Sequence, residues 1–120
     1  MYCVSGMRID SYEFGRVVID GAGFTNDVII VGGVVHGEWW RKEGHVIRPE
    51  DLRLVIEAGP SILVVGCGAY GMCKVAELTR QELEAEGIEV EEYGTAEAVR
   101  RFNELSAGGV DAAAALHLTC

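Results

Sequence analysis

Residues 61–71, SILVVGCGAYG, decide the fold of this chain. Residues 61–65 are continuously apolar, and an apolar run without alternation is typical of a strand that is covered on both faces of its sheet. A glycine-rich turn follows, and apolar residues then recur at helical spacing over residues 73–87. Residues 88–93 come next and read as a second strand. The sequence therefore predicts a βαβ unit whose first strand lies in the interior of the sheet.

The residues after this unit predict one more helix and one more strand. Residues 95–107 have a buried stripe of Val99, Phe102 and Leu105, with Thr95 as a plausible N-cap. Residues 110–118 are rich in alanine, and small side chains let a strand lie close beneath a covering helix. We expect this last strand beside residues 61–65, with His117 facing inward or lying at the edge. His117 is expected to be a core histidine with a hydrogen-bond partner, and the alternative is a base or a ligand.

The N-terminal half reads as β structure followed by a short helix. Runs rich in valine, isoleucine and aromatic residues predict strands at residues 8–14, 16–20, 28–31 and 34–40. Gly32 and Gly33 predict a hairpin between the last two strands. Pro49 suits the first turn of a helix over residues 49–58, which Gly59 and Pro60 end. The chain is thus predicted to be α/β, with N-terminal hairpins added to a layered C-terminal half.

Composition limits the classes of function. The chain has 120 residues, enough for one domain spanning residues 1–120, and its 10 basic and 19 acidic residues give a formal net charge of -9. This acidic balance argues against nucleic acid as a partner. With 49% apolar residues, no spanning segment and no targeting sequence at the N-terminus, we expect a folded cytoplasmic protein that does not enter membranes.

The four cysteines do not form a metal or disulfide pattern. No CxxC pair or zinc-finger spacing occurs, and the three histidines are far apart, so we expect no metal and no cofactor. We expect all four cysteines to be reduced, because a cytoplasmic chain with an ample core needs no cross-links. A link between Cys3 and Cys120 is the exception to check, since chain termini are often close in space.

The glycine turn is the first candidate site. Gly66, Gly68 and Gly71 fit GxGxxG, but the chain is too short for the two halves of a dinucleotide fold. A helix start without a side-chain cap would still offer free N–H groups to a small anion. The candidate ligand-binding residues are Gly66, Cys67, Gly68, Ala69, Tyr70 and Gly71, with Arg41, Lys42 and His45 as neighbours. The alternatives are a purely structural turn, and for Cys67 either a nucleophilic thiolate or a small buried side chain.

Trp39 and Trp40 are the candidate interface residues. Adjacent residues of a strand point to opposite faces, so one tryptophan is predicted to enter the core and the other to be exposed beside Arg41 and Lys42. An exposed tryptophan next to arginine is typical of a recognition surface. The alternative is that one tryptophan serves as hairpin core while the basic residues are solvated charges of a sheet edge.

An ordered set of segments carries a family resemblance. The segments are YEFG (12–15), DVII (27–30), WRKEGH (40–45), VVGCG (64–68), TAEA (95–98), FN (102–103) and LHLTC (116–120). They resemble the small single-domain family of unknown function that includes the adipogenesis-associated domain protein and an assembly factor of mitochondrial NADH dehydrogenase (complex I). The resemblance implies three α/β layers, in which a central mixed, mostly parallel five-stranded sheet carries helices and an added N-terminal β-hairpin layer. It implies no catalytic residues.

Sequence and resemblance together favour a non-catalytic interaction or assembly-factor-like protein, working as a homo-oligomer or within a protein complex. The alternative function is a binding protein or enzyme for a small anionic ligand, phosphate or nucleotide-like, at residues 66–71.

Overall fold

The structure is a computed structural model that describes residues 7–120. Within this range the strands and helices, in chain order, are β1 (Ile9–Glu13), β2 (Arg16–Ile19), β3 (Ala22–Phe24), β4 (Val28–Val31), β5 (Val34–His36), β6 (Val46–Ile47), α1 (Arg53–Ala58), β7 (Ile62–Cys67), β8 (Lys74–Val75), α2 (Glu77–Ala85), β9 (Glu89–Tyr93), α3 (Thr95–Ala107) and β10 (Ala112–His117).

The central sheet has five strands in the order β5-β4-β10-β7-β9. β7 lies between β10 and β9, and all of its residues are buried, which confirms the predicted interior strand beside the last strand of the chain. β7 pairs in parallel with both neighbours, whereas β4 pairs antiparallel with both β10 and β5. The sheet is therefore mixed, with two parallel and two antiparallel pairings, so the expectation that it is mostly parallel is not confirmed.

The hairpin between β4 and β5 turns at Gly32 and Gly33, as the sequence predicted. Both glycines have positive φ, 60° and 75°, which is the backbone that a two-residue type I′ turn requires.

Two hydrophobic cores lie on opposite faces of the central sheet, because successive side chains of a strand alternate between faces. On one face Leu63 and Val65 of β7 belong to a cluster with Val55 of α1 and Leu83 of α2. On the other face the cluster joins Val64 to α3 and to buried residues of β1 and β2 (Ala98, Val99, Phe102, Ile9, Val17, Ile19). The N-terminal strands β1, β2 and β3 form a separate antiparallel sheet, the added layer that was expected.

Several boundaries differ from the sequence expectations. The helix expected from residue 73 begins at Glu77, because Lys74 and Val75 pair in parallel with β6. The strand expected to reach residue 40 ends at His36. The helix expected over residues 49–58 is present, with Pro49–Leu52 as a 3-10 turn before α1. Thr95 is the first residue of α3 rather than its N-cap, since its hydroxyl donates to the carbonyl of His117 at 2.6 Å.

Two features of residues 7–120 bear on the expected functions. No helix there is long and apolar enough to cross a membrane. The same residues contain no group of three or more histidine, cysteine or acidic side chains arranged to hold a metal ion.

Candidate functional site

Polar residues converge at one edge of the central sheet. β7, β9 and β10 are parallel, so their carboxyl ends meet at this edge. β4 runs the other way, and its first residue, Val28, pairs with Leu116 of β10. Asp27, which precedes β4, is thereby brought next to His117, the last residue of β10. In open α/β sheets the carboxyl ends of the strands are the usual place for a ligand site.

The Asp27 carboxylate accepts three hydrogen bonds. Its Oδ1 accepts from the backbone N–H of Leu118 at 2.9 Å. Its Oδ2 accepts from Nη1 of Arg41 at 2.7 Å and lies 2.8 Å from Nδ1 of His117. Burial alone would raise the pKa of Asp27, but the hydrogen bonds from His117, Leu118 and Arg41 outweigh burial and lower it. The carboxylate is therefore ionised at neutral pH.

The side chain of Arg41 is buried, and its guanidinium donates hydrogen bonds to other groups of the protein. The side chain is only 6% exposed. Besides the bond to Asp27, Nε and Nη2 donate to the carbonyl of Gly44 at 3.1 and 2.9 Å. The guanidinium carbon also lies 4.6 Å from the ring centre of Trp39, in cation–π geometry. Arg41 thus ties the loop after β5 to the sheet, and most of its donors are unavailable to a ligand.

His117 is held in one tautomer by its contact with Asp27. An ionised carboxylate can only accept, so the 2.8 Å contact requires a hydrogen on Nδ1. The 3.1 Å approach of Nη2 of Arg41 to the same nitrogen is then a close contact between two donor groups. Nε2 is left as the acceptor nitrogen, and Oγ1 of Thr119 lies 3.5 Å from it. The ring of His45 stands edge-on to His117, with 5.9 Å between ring centres.

A cleft with a volume of about 690 Å³ lies beside this cluster. Trp40 stands at its rim and is 78% exposed. Trp39 is buried in the wall of the cleft, and its indole N–H donates to the carbonyl of Asp51 at 2.8 Å. One tryptophan is therefore inside and one outside, as expected, although both belong to a loop and not to a strand. The lining includes Asp27, Glu38, Trp40, Arg41, His117 and Thr119.

The glycine turn lies at the same edge of the sheet, but it is built differently from the expectation. α2 begins at Glu77, so the turn does not open a helix and the expectation of free helical N–H groups there is wrong. Four N–H groups within residues 68–72 have protein acceptors: Gly68 donates to Oγ1 of Thr95, Ala69 to the carbonyl of Thr119, Gly71 to the carbonyl of Gly68, and Met72 to the carbonyl of Cys120. Anion binding at the turn stays a prediction, and these contacts count against it.

Close packing explains two of the three glycines. A Cβ on Gly66 would lie 2.9 Å from Oγ1 of Thr95, and a Cβ on Gly68 would lie 2.6 Å from the carbonyl oxygen of Cys120. Gly68 also has a φ of 97°, which side chains rarely adopt. The absence of a side chain at these two glycines therefore leaves room for Thr95 and for the last residues of the chain. This packing is a structural reason for the GxGxxG pattern.

Cys67 and Cys73 are unsuited to nucleophilic chemistry. Burial raises the pKa of Cys67 to about 12, and burial also raises the pKa of Cys73. Both thiols therefore stay protonated at neutral pH. Cys67, Cys73 and Cys120 are free thiols, whereas Cys3 lies outside the described residues, so its state and the Cys3–Cys120 link stay predictions.

The other predicted neighbours of the turn are divided between the cleft and the surface. Arg41 and His45 lie beside His117, while the side chain of Lys42 is exposed and its backbone N–H donates to Asp51. Ala69 and Tyr70 are exposed at the turn, and the ring centre of Tyr70 lies 6.3 Å from that of Phe14. Sequence reasoning missed Asp27 altogether. The available signal was an acid directly before a continuously apolar strand.

These features define a small α/β domain with a polar cleft at the carboxyl end of a mixed central sheet. A family described as "Protein of unknown function (DUF498/DUF598)" matches residues 9–117, so the chain belongs to that family. This confirms the expectation of a small family of unknown function.

Solved structures from several organisms have the same fold. A conserved hypothetical protein of Pyrococcus horikoshii is 30% identical, with a TM-score of 0.80 over 94% of this chain and 99% of its own. A protein of Bartonella henselae, described as an outer membrane protein, is 25% identical, with a TM-score of 0.83 over 97% of this chain and 98% of its own. A Bordetella pertussis protein described as a Mth938-like domain is 20% identical over 98% and 92%, with a TM-score of 0.70, and shows the fold alone.

Proposed function

We propose that this protein is an interaction domain, which associates with a second copy of itself or with a member of a larger complex through the surface around Trp40. The observation that carries the proposal is the 78% exposure of Trp40. Tryptophan is the side chain most enriched among residues that dominate binding energy at protein interfaces. Covering such a ring with a partner removes a large apolar area from water.

Trp40 is presented by residues that are fixed on both sides. The backbone N–H of Trp39 donates to the carbonyl of Asp27 at 2.9 Å, and the Trp39 side chain is buried. Arg41 is held by Asp27 and Gly44. An exposed side chain on a backbone that is already ordered loses less entropy on binding than one on a mobile loop. This arrangement supports an anchor role for Trp40 in the assembly-factor-like function that the family resemblance suggests.

Sedimentation velocity over a wide concentration range tests the association. Trp40→Ala should weaken self-association, or capture of the partner from the native cell extract, by about 30-fold, the equivalent of about 2 kcal/mol. Leu78→Ala is the matched control, because Leu78 is 60% exposed but lies on α2. A wild type that stays monomeric at high concentration and captures nothing that depends on Trp40 would refute the proposal.

A second candidate function is binding of a small ligand in the cleft. It is favoured by the burial of the Asp27–Arg41–His117 cluster, since buried charges are costly and concentrate where they serve a site. Among the residues that line the cleft, Arg41 and Asp27 neutralise each other and Glu38 adds a further negative charge, so an uncharged ligand suits this cleft better than an anion.

Nuclear magnetic resonance can separate the cleft from the glycine turn. A library of small uncharged compounds should shift the indole signal of Trp40 and the amide signal of Thr119. Phosphate, titrated separately, should shift the amides of residues 66–71 only if the turn binds anions. If no compound shifts either set of signals at high concentration, the interaction function is the only proposal that remains.

A further inference from the structure

We propose that Thr119 is a nucleophile activated by His117, and that the cleft accepts acyl groups from small uncharged esters. The inference rests on the second function proposed above, the ligand cleft, and adds a reaction class and named roles to it.

The geometry is that of a carboxylate, an imidazole and a hydroxyl in series. Oδ2 of Asp27 lies 2.8 Å from Nδ1 of His117, and Nε2 of the same ring lies 3.5 Å from Oγ1 of Thr119. All three side chains line one cleft. A nucleophile beside a base, with the base oriented by a third group, is the arrangement that activates hydroxyl nucleophiles. A separation of 3.5 Å is looser than a strong hydrogen bond, as is common before substrate binds.

Neighbouring groups hold the three side chains in this arrangement. His117 is the last residue of β10 and Thr119 follows it two residues later, and both side chains line the cleft. The backbone is fixed by donation from Thr95 to the carbonyl of His117 and from Ala69 to the carbonyl of Thr119. Asp27 is a positioning residue, because in this reaction it acts through the imidazole of His117 and not on the reacting atoms. Its lowered pKa keeps it an acceptor at neutral pH, so Nε2 stays the atom that can take a proton.

The reaction balances without an oxidant or a metal. Oγ1 of Thr119 attacks the acyl carbon and loses its proton to Nε2 of His117. The bond from the acyl carbon to the leaving oxygen breaks, and that oxygen takes the proton from Nε2. Water then attacks the acyl-threonine and gives one proton to Nε2, which returns it to Oγ1 as the carboxylic acid leaves. An uncharged acyl compound suits the cleft because the Arg41–Asp27 pair is neutral and Glu38 repels anions.

The experiment uses p-nitrophenyl acetate with the full chain. Wild type should release a burst of one equivalent of p-nitrophenol per chain, and peptide mapping should place the acetyl group on Thr119. Thr119→Ala should abolish the burst and Thr119→Ser should restore it. His117→Gln should slow the burst by about 100-fold or more. Ser61→Ala is the matched control, because Ser61 is an exposed hydroxyl residue just before β7, at the end of that strand opposite the cleft, and its loss should leave the burst unchanged.

The possible results distinguish failure of the Thr119 nucleophile from failure of the proposed ligand cleft. A burst that persists in Thr119→Ala, or acetyl groups found on other residues of the wild type, would overturn the nucleophile. Absence of any burst would also overturn the nucleophile. If uncharged compounds still shift the Trp40 and Thr119 signals in that case, the proposal of a ligand cleft is retained. If no compound shifts those signals, the ligand cleft fails as well. Mapping the wild type decides the matter even if Thr119→Ala does not fold.

Discussion

The replacement Asp27→Asn measures what the buried charge cluster contributes to stability. Asparagine keeps an oxygen that can accept from the backbone of Leu118, but it cannot neutralise Arg41. The side chains of Arg41 and Asp27 are only 6% and 16% exposed, so the guanidinium would be left charged in a place that water barely reaches. Breaking a buried ion pair by removing one partner costs about 3 to 5 kcal/mol, and because one hydrogen bond survives we expect about 3 kcal/mol.

Urea unfolding at neutral pH provides the assay. A loss of about 3 kcal/mol lowers the midpoint by roughly 1 to 3 M, with an unchanged slope if the unfolded state is unaffected. Glu43→Gln is the control, since Glu43 pairs with Arg48 on the surface, where both side chains are nearly half exposed. Solvent screens that pair, so its loss should be a small fraction of the loss at Asp27.

A double variant tests the explanation itself. Asp27→Asn with Arg41→Met leaves neither charge of the buried pair, so its loss of stability should be smaller than the sum of the two single losses. The reasoning is wrong if Asp27→Asn costs less than about 1 kcal/mol, or if the two single losses simply add.

Three further predictions concern pH, the glycine turn and the thiols. The pKa of Asp27 is below its ordinary value of 3.8 in the folded protein, so its stabilisation is present above that pH and lost as the pH falls through the lowered value. Urea midpoints measured from neutral to acid pH should therefore fall less steeply in Asp27→Asn than in wild type. Gly68→Ala should lower the melting temperature more than Gly71→Ala, because both glycines have positive φ but only the first Cβ meets backbone, at 2.6 Å; equal losses would contradict this. In a thiol-reagent assay on native protein Cys120 should react before Cys67, whose pKa is raised to about 12, and unfolding without reductant should expose all four cysteines; two or fewer would mean that a disulfide exists.

The parts of the fold that local patterns determine were predictable from the sequence. The continuous apolarity of residues 61–65 placed β7 in the sheet interior, and Gly32 and Gly33 placed the hairpin. α3 covers the predicted residues 95–107 because its apolar stripe faces one core. The predicted start of α2 is wrong because residues 74–75 fit a helical spacing as well as they fit a strand. Only their pairing with β6 makes them a strand.

The candidate site could not be predicted because it depends on strand order. Asp27 and His117 are 90 residues apart, and only the antiparallel pairing of β4 with β10 brings them to 2.8 Å. Nothing in the local sequence around either residue specifies that pairing. His117 was expected to be a buried histidine with a partner, and it is buried. Only the structure identifies Asp27 as that partner and places Oγ1 of Thr119 3.5 Å from Nε2 of His117.

The glycine turn and the cleft are parts of one arrangement, and this connection gives the turn a role without an anion. Gly68 admits the carbonyl of Cys120, and the N–H groups of Ala69 and Met72 donate to Thr119 and Cys120. The segment that carries Thr119 is therefore held by the turn, while Asp27 holds His117 from the other side. It follows that Gly68→Ala should disturb the Thr119 amide signal and slow its acetylation at temperatures where the protein is still folded, whereas Gly71→Ala should not. If the turn were instead an independent anion site, both variants would leave the Thr119 signal unchanged.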